Sequence, residues 1–319
     1  MALALLVSLI AAVVPSILYV LIFYWADRYE REPLWLASVA FLWGAIPAII
    51  LSLIFELALG APFVDQPDTL AEELVSGAVV APIVEEIFKG AALLAIFFWK
   101  RQEFDGVLDG LVYGALVGFG FAMTENFFYF VGAFDEGGWG SLTVVIILRA
   151  VVFGLNHAFY TGLMGIGLGF ARNSRSRPLR IFWIVAGLAA AIIAHALHNL
   201  GAGLVSVNIL GLGLSLLVAT AGFGLTLLAI GLAWQHERHT IRTELTPEVG
   251  FLLTREELSG LVDHWRHPHL SRRGAARRRQ QTLVEFANRK RRLRLRGLDR
   301  EPELARQLDE LRRQLTITA

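Results

Sequence analysis

Residues 74–99 of the chain read LVSGAVVAPIVEEIFKGAALLAIFFW. An α-helix needs about 20 predominantly apolar residues to cross the hydrocarbon core of a bilayer, and this stretch is long enough. It nevertheless carries Glu85, Glu86 and Lys89 near its middle. Because a charged side chain at mid-bilayer costs at least about 2.5–3.5 kcal/mol on insertion scales, such residues are functional candidates by default. We therefore interpret residues 74–99 as a transmembrane helix that brings functional groups into the membrane.

The apolar character extends over most of the chain. Apolar residues make up 55% of the 319 residues and charged residues only 18%, whereas soluble proteins have about 25% charged residues. This composition excludes an ordinary soluble protein. It predicts an all-α fold, a polytopic membrane bundle of about seven transmembrane helices followed by a helical cytoplasmic tail. The predicted spans are residues 2–24, 34–59, 74–99, 106–132, 141–170, 181–203 and 208–234.

Charge divides the chain into two predicted domains. Residues 1–234 contain 10 Lys and Arg against 16 Asp and Glu, whereas residues 235–319 contain 19 against 12. We assign the first part to the membrane-embedded domain and the second to a basic helical tail. The chain has no cysteine, which excludes disulfides, thiol nucleophiles and cysteine-ligated metal sites.

The loops between the predicted spans alternate in their basic residues. Three loops contain Lys or Arg, while the loops 60–73, 133–140 and 204–207 contain neither. Cytoplasmic loops of membrane proteins carry an excess of Lys and Arg. The alternation therefore predicts a multi-pass protein of the cell membrane with its N-terminus outside and its tail in the cytoplasm. The basic loop residues are Arg28, Arg31, Lys100, Arg101, Arg172, Arg175, Arg177 and Arg180.

The tail has sequence features of helices. Thr254 and Glu257 are spaced as in a capping box, which predicts a helix start. The runs Arg277–Arg279 and Arg289–Arg296 are strongly basic but belong to no recognisable nucleic-acid-binding module. We therefore expect the tail to contact anionic lipid and expect no nucleic-acid partner. Leu304, Leu308, Leu311 and Leu315 form a stripe at helical spacing, and His236, His239, His264, His267 and His269 are expected to be solvated.

Four predicted spans carry polar residues at overlapping depths. Glu85 and Lys89 are i,i+4 neighbours and are expected to pair, whereas Glu86 points about 100° away and is expected to have no such partner on its own helix. Glu56 and Arg149 are expected to be structural or rim residues. A buried ion pair that only fixes helix register would explain the residues of one span, but not those of four spans together. The candidate site residues are Glu85, Glu86, Lys89, Glu125, Asn126, His157, His195 and Asn199.

The motifs of several known membrane enzymes are absent. The spans contain no His-Glu-x-x-His zinc motif, no Gly-x-Ser-x-Gly elbow and no aspartate pair. Glutamate and histidine therefore remain as the candidate catalytic residue types in the spans. A glutamate in an apolar setting can take a proton from water, while histidine and asparagine can position that water, stabilise an oxyanion or, with a glutamate, hold zinc. The same side chains would also serve as a proton relay, so a proton-coupled transporter or ion pathway is the alternative function.

Four blocks of sequence lie in order on successive predicted spans. They are residues 85–89 (Glu-Glu-Ile-Phe-Lys), residues 104–126, which end in Thr-Glu-Asn, residues 156–159 (Asn-His-Ala-Phe) and residues 195–199 (His-Ala-Leu-His-Asn). Together they resemble the PrsW family of intramembrane proteases, relatives of the CAAX prenyl endopeptidases. The first block is similar to the family's Glu-Glu-x-x-Lys motif and the last to its closing His-x-x-x-Asn block. The resemblance covers about residues 15–205 and does not include the basic tail.

The resemblance implies hydrolysis of a peptide bond in a membrane-anchored protein. Glu85 and Glu86 match the catalytic pair, and Asn199 matches the position that helps to hold the water or the oxyanion. The partners of the catalytic pair are matched by Glu125, His157 and His195. These three residues would hold zinc if the enzyme depends on a metal, whereas related enzymes are argued to use glutamate-activated water alone. Both mechanisms are open at this point, and no other cofactor is expected.

Overall fold

The structure, a computed structural model, describes residues 1–27, 29, 32–59, 69–101, 103–104, 106–263, 274–297 and 302–317. These residues form helices joined by short turns, with an isolated β-bridge between Val249 and Leu253. The predicted all-α fold is therefore confirmed for the described part of the chain. The α-helices are α1 (Ala2–Ala26), α2 (Leu34–Trp43), α3 (Ile49–Ala58), α4 (Leu70–Val75), α5 (Ala81–Trp99), α6 (Val107–Ile146), α7 (Asn156–Asn173), α8 (Arg177–Leu204), α9 (Leu210–Leu245), α10 (Arg255–Val262), α11 (Gly274–Arg296) and α12 (Pro302–Ile317).

Five helical segments among the described residues are long and apolar enough to cross a membrane. The expected count of about seven is therefore not confirmed by length and composition. The predicted span 74–99 does not qualify because three charged residues fall within its apolar part, and the predicted spans 106–132 and 141–170 lie within one segment. The five segments are Ala2–Ala26, Leu34–Ala58, Val107–Asn173, Arg177–Leu204 and Leu210–Glu248.

The longest of these segments folds back on itself at Gly138. The backbone of Gly138 has a φ of 64°, a left-handed conformation that glycine adopts without a steric penalty. Gly118 on α6 then lies against His157 on α7, and Glu125 pairs with Arg149. Residues at similar distances from Gly138 along the chain therefore meet. As a result α6 and α7 are antiparallel, and the hairpin brings Glu125 and His157 to the same level.

Glycines let α6 and α7 approach each other closely. Gly110 and Gly165 are in backbone contact, and a Cβ added at Gly110 would lie 2.0 Å from the Gly165 carbonyl oxygen. A Cβ added at Gly114 would lie 2.6 Å from the Thr161 carbonyl oxygen. Small residues at helix interfaces allow such approach in a membrane, where van der Waals packing replaces the hydrophobic effect. The close packing fixes Thr161 relative to α6.

Three π-helical turns lie next to the helices of the candidate site. The turn Ser76–Val80 leads directly into α5, which carries Glu85, and the turn Ile147–Val152 contains Arg149. The third turn, Gly44–Ala48, joins α2 to α3. Single π-helical turns are rare in proteins and are frequent at functional sites, because they shift the direction of the side chains that follow. Two of the three turns here carry or precede polar residues.

The described chain forms two compact units. The first comprises Met1–Asp27 and Glu32–Ala229, and the second contains Tyr29 and the described residues from Ile230 onward. The second unit has its own apolar core around the fully buried Phe286. Further core residues of this unit are Ile241, Leu245, Leu261, Val262, Leu283, Val284, Leu311 and Leu315.

The helix start and the leucine stripe predicted for the tail are confirmed. The Thr254 hydroxyl accepts a hydrogen bond from the Glu257 backbone N–H, and the Glu257 carboxylate accepts one from the Thr254 N–H. In α12 three stripe residues are buried, namely Leu304, Leu311 and Leu315. Three of the histidines that were expected to be solvated, His264, His267 and His269, lie outside the described residues.

Several basic residues of the second unit pair with acidic residues of the same unit. Arg279 Nε lies 2.8 Å from Glu257 Oε1, and Lys290 Nζ donates to Glu248 Oε1 at 2.6 Å. Although partial burial opposes the shift, the hydrogen bond from Arg279 holds the pKa of Glu257 below its ordinary value. Part of the basic charge of the tail is thus balanced within the tail itself.

Candidate active site

Lys89 lies at the centre of the polar residues in the first unit. Its side chain is fully buried, and its Nζ donates to Glu85 Oε2 at 2.8 Å and to Glu86 Oε1 at 2.8 Å. A third contact joins Lys89 Nζ to His157 Nδ1 at 3.1 Å. Because an ammonium has three N–H donors and no acceptor, these contacts use its full hydrogen-bonding capacity. Lys89 therefore joins α5 to α7 through charge-assisted hydrogen bonds.

The expected pair between Glu85 and Lys89 is confirmed, but the prediction that Glu86 has no partner on its own helix is wrong. Lys89 is four residues from Glu85 and three from Glu86, and it bonds both carboxylates. The prediction treated a side chain as confined to one helix face. A lysine has a flexible four-carbon stem and three donors, so it reaches across two faces.

Glu86 is held through both of its carboxylate oxygens. Oε1 accepts from Lys89 and faces His195 Nδ1 at 3.1 Å, while Oε2 accepts from the Thr161 hydroxyl at 3.0 Å. Among the described residues, Glu85 has a single hydrogen-bond donor, Lys89. Glu86 is thus the more constrained carboxylate of the two, and Glu85 keeps more of its hydrogen-bonding capacity.

His195 lies between the two carboxylates. Its Nδ1 faces Glu86, and its Nε2 lies 4.0 Å from Glu85 Oε2. The imidazole stacks on the ring of Tyr160 with the ring centroids 4.8 Å apart, which fixes its plane. With Glu86 ionised, Nδ1 carries the hydrogen of the neutral ring and Nε2 is left as an acceptor. The side of the imidazole that faces Glu85 can therefore accept a hydrogen bond.

Glu125 and Asn126 meet Arg149 and His157 next to this cluster. Glu125 Oε2 lies 2.6 Å from Arg149 Nη2 and 2.9 Å from His157 Nε2. Arg149 Nε donates to Asn126 Oδ1 at 2.8 Å. Arg149 was expected to be a structural or rim residue, and its place in the network depends on the reversal at Gly138. The sequence carries no periodic pattern that reveals this pairing.

Asn199 contacts the backbone of the segment that precedes α5. Its Nδ2 donates to the carbonyl oxygen of Gly77 at 2.8 Å, in the π-helical turn that precedes α5. Its neighbour His198 faces the side-chain amide of Asn156, with 3.2 Å between His198 Nδ1 and Asn156 Nδ2. The structure thus brings all the candidate residues except Asn199 into one network, and ties Asn199 to the segment that carries the glutamates.

Two buried polar residues near the site were not among the candidates. Thr161 is fully buried and donates to Glu86. It lies four residues after His157, so its position on the same helix face was the signal that could have identified it. Glu56 on α3 is 2% exposed, and its Oε1 has no hydrogen-bond partner among the described residues. A buried carboxyl oxygen without a partner is rare, yet no spacing in the sequence distinguishes Glu56 from a rim residue.

Four residues present atoms that suit a metal ion. The ligand atoms of Glu85, Glu86, His157 and His195 all lie within 4.8 Å of one another. This group differs from the predicted zinc ligands, because both glutamates belong to it and Glu125 does not. Glu125 lies 2.9 Å from His157 Nε2 and pairs with Arg149.

The chemistry of the four side chains suits zinc, but the position of Lys89 does not. Zinc binds carboxylate oxygens and imidazole nitrogens at about 2.0–2.2 Å, usually in tetrahedral geometry. Lys89 Nζ already contacts Glu85, Glu86 and His157, so the ammonium occupies the place where the ion would have to lie. A zinc ion and the Lys89 ammonium therefore do not fit this arrangement together.

Comparison with known proteins gives matches over the region that contains this network. A family profile described as "PrsW family intramembrane metalloprotease" matches residues 32–231. The chain is 28% identical to the protease PrsW of Halalkalibacterium halodurans over 194 residues, which is 60% of this chain and 81% of the relative. It is 30% identical to the protease PrsW of Geobacillus kaustophilus over 177 residues, 55% of this chain and 72% of the relative. The protease PrsW of Bacillus subtilis is 26% identical over 189 residues, 59% and 79% of the two chains.

No solved structure gives a significant match to the chain. The family match spans most of the first unit and includes every residue of the polar network described above. The apolar helices of this unit are those of a multi-pass membrane protein. The chain therefore belongs to the PrsW family of intramembrane metalloproteases and is a membrane-embedded peptidase.

Proposed function

We propose that the chain is an intramembrane endopeptidase that cleaves a membrane-anchored protein by attack of a glutamate-activated water on a peptide bond. The observation that carries the proposal is the buried cluster of Glu85, Glu86 and His195, linked by hydrogen bonds. Burying two carboxylates beside each other is unfavourable unless they are paired and hydrogen-bonded. Membership of a protease family supports the use of such a cluster for hydrolysis.

The base in this proposal is Glu85. The distance of 4.0 Å between Glu85 Oε2 and His195 Nε2 is too long for a direct hydrogen bond and suits one bridging water. Such a water would donate one hydrogen to each of these acceptors. Its oxygen lone pairs would then point away from both side chains, toward the carbonyl carbon of a bound peptide.

Hydrolysis would follow in two proton transfers. The water oxygen bonds to the carbonyl carbon while a water proton passes to Glu85. The C–N bond then breaks, and Glu85 returns that proton to the amine nitrogen, so the products are a carboxylic acid, which keeps the second water proton, and an amine. Glu85 acts first as general base and then as general acid, a role that needs a carboxylate within reach of both atoms.

The surrounding residues position this chemistry. Glu86 holds the tautomer and plane of His195, and Lys89 holds both glutamates in place. We assign stabilisation of the developing oxyanion to Arg149 with Asn126, because Arg149 is a partly exposed cation at the edge of the network. Asn199 fixes α8 to the turn before α5 through its bond to the Gly77 carbonyl.

The domain assignment extends this proposal. We propose that residues 1–234 form the protease domain with seven membrane crossings, counting the segment 74–99 and both arms of the hairpin at Gly138. Residues 235–319 form the cytoplasmic tail. This arrangement places the N-terminus outside the cell membrane, in agreement with the alternation of Lys and Arg between loops.

A topology experiment checks this orientation. A reporter that is active only in the cytoplasm should be active when fused after Arg177 or after Glu237, and inactive when fused after Gly137. The expected result follows from the basic loop before Arg177 and from the absence of Lys and Arg in residues 133–140. Activity of the Gly137 fusion would contradict the seven-span arrangement.

The tail is proposed to contact anionic lipid. Its basic residues are numerous, and the side chains of Arg294, Arg306 and Arg312 are more than half exposed. A juxtamembrane basic segment is attracted to the negative cytoplasmic leaflet by about 1 kcal/mol for each Lys or Arg near the surface. We propose no nucleic-acid partner.

His195→Ala provides the test of the protease function. Membrane fractions from cells that produce the wild type or His195→Ala at equal levels are compared for new protein termini. We expect at least one membrane-anchored protein to be cleaved only with the wild type, and the same cleavage in proteoliposomes that contain the two purified proteins. A proton-coupled transporter predicts the opposite outcome, in which His195→Ala abolishes a pH-driven flux and all membrane proteins are processed as before.

A further inference from the structure

The site contains a cation of its own. Lys89 Nζ lies within 2.8–3.1 Å of Glu85, Glu86 and His157, three of the four side chains that could hold a metal ion. The fourth, His195, bonds the same Glu86 oxygen that accepts from Lys89. An ammonium surrounded by three acceptors at these distances resembles a metal ion in its polar contacts, although it carries one positive charge.

We infer that Lys89 is the resident cation of this site, that it excludes a divalent metal from the wild-type protein, and that removing its ammonium converts the site into a zinc site. The inference rests on the proposed function, because it concerns the same carboxylates. It goes beyond that function, because it explains how a member of a family described as metalloproteases can hold its glutamates without a metal.

Zinc and the Lys89 ammonium exclude each other for two reasons. The first is space, because the atoms that would bind zinc at about 2.0–2.2 Å are the acceptors of the Lys89 hydrogen bonds. The second is charge. Lys89 is fully buried, and an ammonium displaced by a dication would lose its acceptors and face a like charge in a medium where such repulsion is weakly screened. The ammonium can leave its three acceptors only if the whole Lys89 side chain adopts another conformation.

The donors left behind after removal of the ammonium suit zinc. Two carboxylates and two imidazoles within 4.8 Å of one another match the nitrogen and oxygen ligands that zinc takes in tetrahedral sites. The two buried glutamates would also lack their counter-charge, so a dication should be favoured over an empty site. Thr161 still donates to Glu86 and would keep that carboxylate oriented.

The experiment compares zinc binding of detergent-purified proteins. The wild type, Lys89→Met and Lys89→Arg are incubated with zinc sulfate, freed of unbound metal and measured for zinc content and for Tm. Methionine replaces the lysine with a neutral side chain of similar length, and arginine keeps a buried cation. We expect roughly one zinc per Lys89→Met chain with a higher Tm in zinc, and neither effect for the wild type or Lys89→Arg.

A second substitution tests whether the zinc bound by Lys89→Met is held at this site. In Lys89→Met/His157→Ala one of the four ligands is lost, so stoichiometric zinc and the rise in Tm should both disappear. If Lys89→Met folds only in zinc-containing medium, that dependence supports the inference in the same way. A folded Lys89→Met protein that takes up no zinc would overturn it.

The zinc content and the cleavage activity of the wild-type protein test the inference independently of any variant. A wild type that holds one zinc per chain, as purified or after incubation, would overturn the inference even if it cleaves its substrate, and the protease function would stand. A zinc-free wild type that cleaves no membrane protein would overturn the proposed function and leave the role of Lys89 intact. The two failures are therefore distinguishable by metal content and cleavage measured on the same sample.

Discussion

Replacing Glu85 with glutamine should lower kcat for peptide-bond cleavage by about 10²–10⁴-fold, the range that a positioned general base contributes. Glutamine keeps the shape of the side chain and can still accept a hydrogen bond from Lys89. It cannot take a proton from water near neutral pH. The expected loss is therefore in kcat, with little change in the level of inserted protein.

Glu86→Gln is the informative comparison for this prediction. Glu86 accepts from Lys89 and Thr161 and faces His195, so its replacement disturbs three contacts. We expect Glu86→Gln to lose activity and also to lower Tm, because breaking a buried charge pair is strongly destabilising, by about 3–5 kcal/mol. Glu85→Gln should lower Tm less, since Glu85 has one hydrogen-bond donor among the described residues.

A control carboxylate separates these effects from a general effect of lost charge. Glu136 is exposed on α6, two residues before the reversal at Gly138, and Glu136→Gln should leave both kcat and Tm unchanged. The measurement is cleavage of the identified substrate in proteoliposomes, with Tm of each variant in detergent. Full activity of Glu85→Gln together with an inactive but stable Glu86→Gln would assign the base to Glu86 instead.

The sequence predicts the membrane bundle and most of the site because both depend on local features. Apolar length identifies five spanning segments among the described residues, and the i,i+4 spacing identifies the contact of Glu85 with Lys89. The depth of each residue within its span also predicts that His157 and His195 meet the glutamates. The structure brings these residues together as expected.

The contacts that the sequence does not predict are those that depend on a turn or on side-chain flexibility. Arg149 reaches Glu125 because the chain reverses at Gly138. The sequence contains 30 glycines, and nothing in it distinguishes Gly138 as the point of reversal. The same pairing gives Glu125 a cationic partner that the sequence does not predict. Lys89 bonds Glu86 because its stem is long, which helix periodicity alone does not describe.

The packing of α6 against α7 positions His157, a residue of the proposed site. A Cβ added at Gly118 would lie 2.4 Å from the carbonyl oxygen of His157 and 2.7 Å from the backbone nitrogen of Ala158. Both atoms belong to the backbone of α7 and cannot move aside as the end of a flexible side chain would. Relief of the clash requires α7 to move away from α6, and His157 would move with it.

Gly118→Ala should therefore impair both stability and activity. Overpacking of a tight interface typically lowers the free energy of unfolding by about 1–3 kcal/mol, and a shift of roughly 1 Å in a catalytic group can lower the rate by about 10²-fold. The shift carries His157 away from Lys89 and Glu125, whose contacts with it measure 3.1 and 2.9 Å. Tm in detergent and cleavage in proteoliposomes measure the two effects.

Gly132→Ala is the matched control on the same helix. A Cβ added at Gly132 meets no atom within 4 Å, so alanine introduces no clash there. Alanine is favoured over glycine inside a helix by about 1 kcal/mol, and Gly132→Ala should keep full activity with an equal or higher Tm. The difference between the two variants isolates the effect of helix approach from that of helix propensity. If Gly118→Ala and Gly132→Ala had the same Tm and the same kcat, the distance between α6 and α7 would not control the site, and His157 would have to be positioned by its contacts with Lys89 and Glu125 alone.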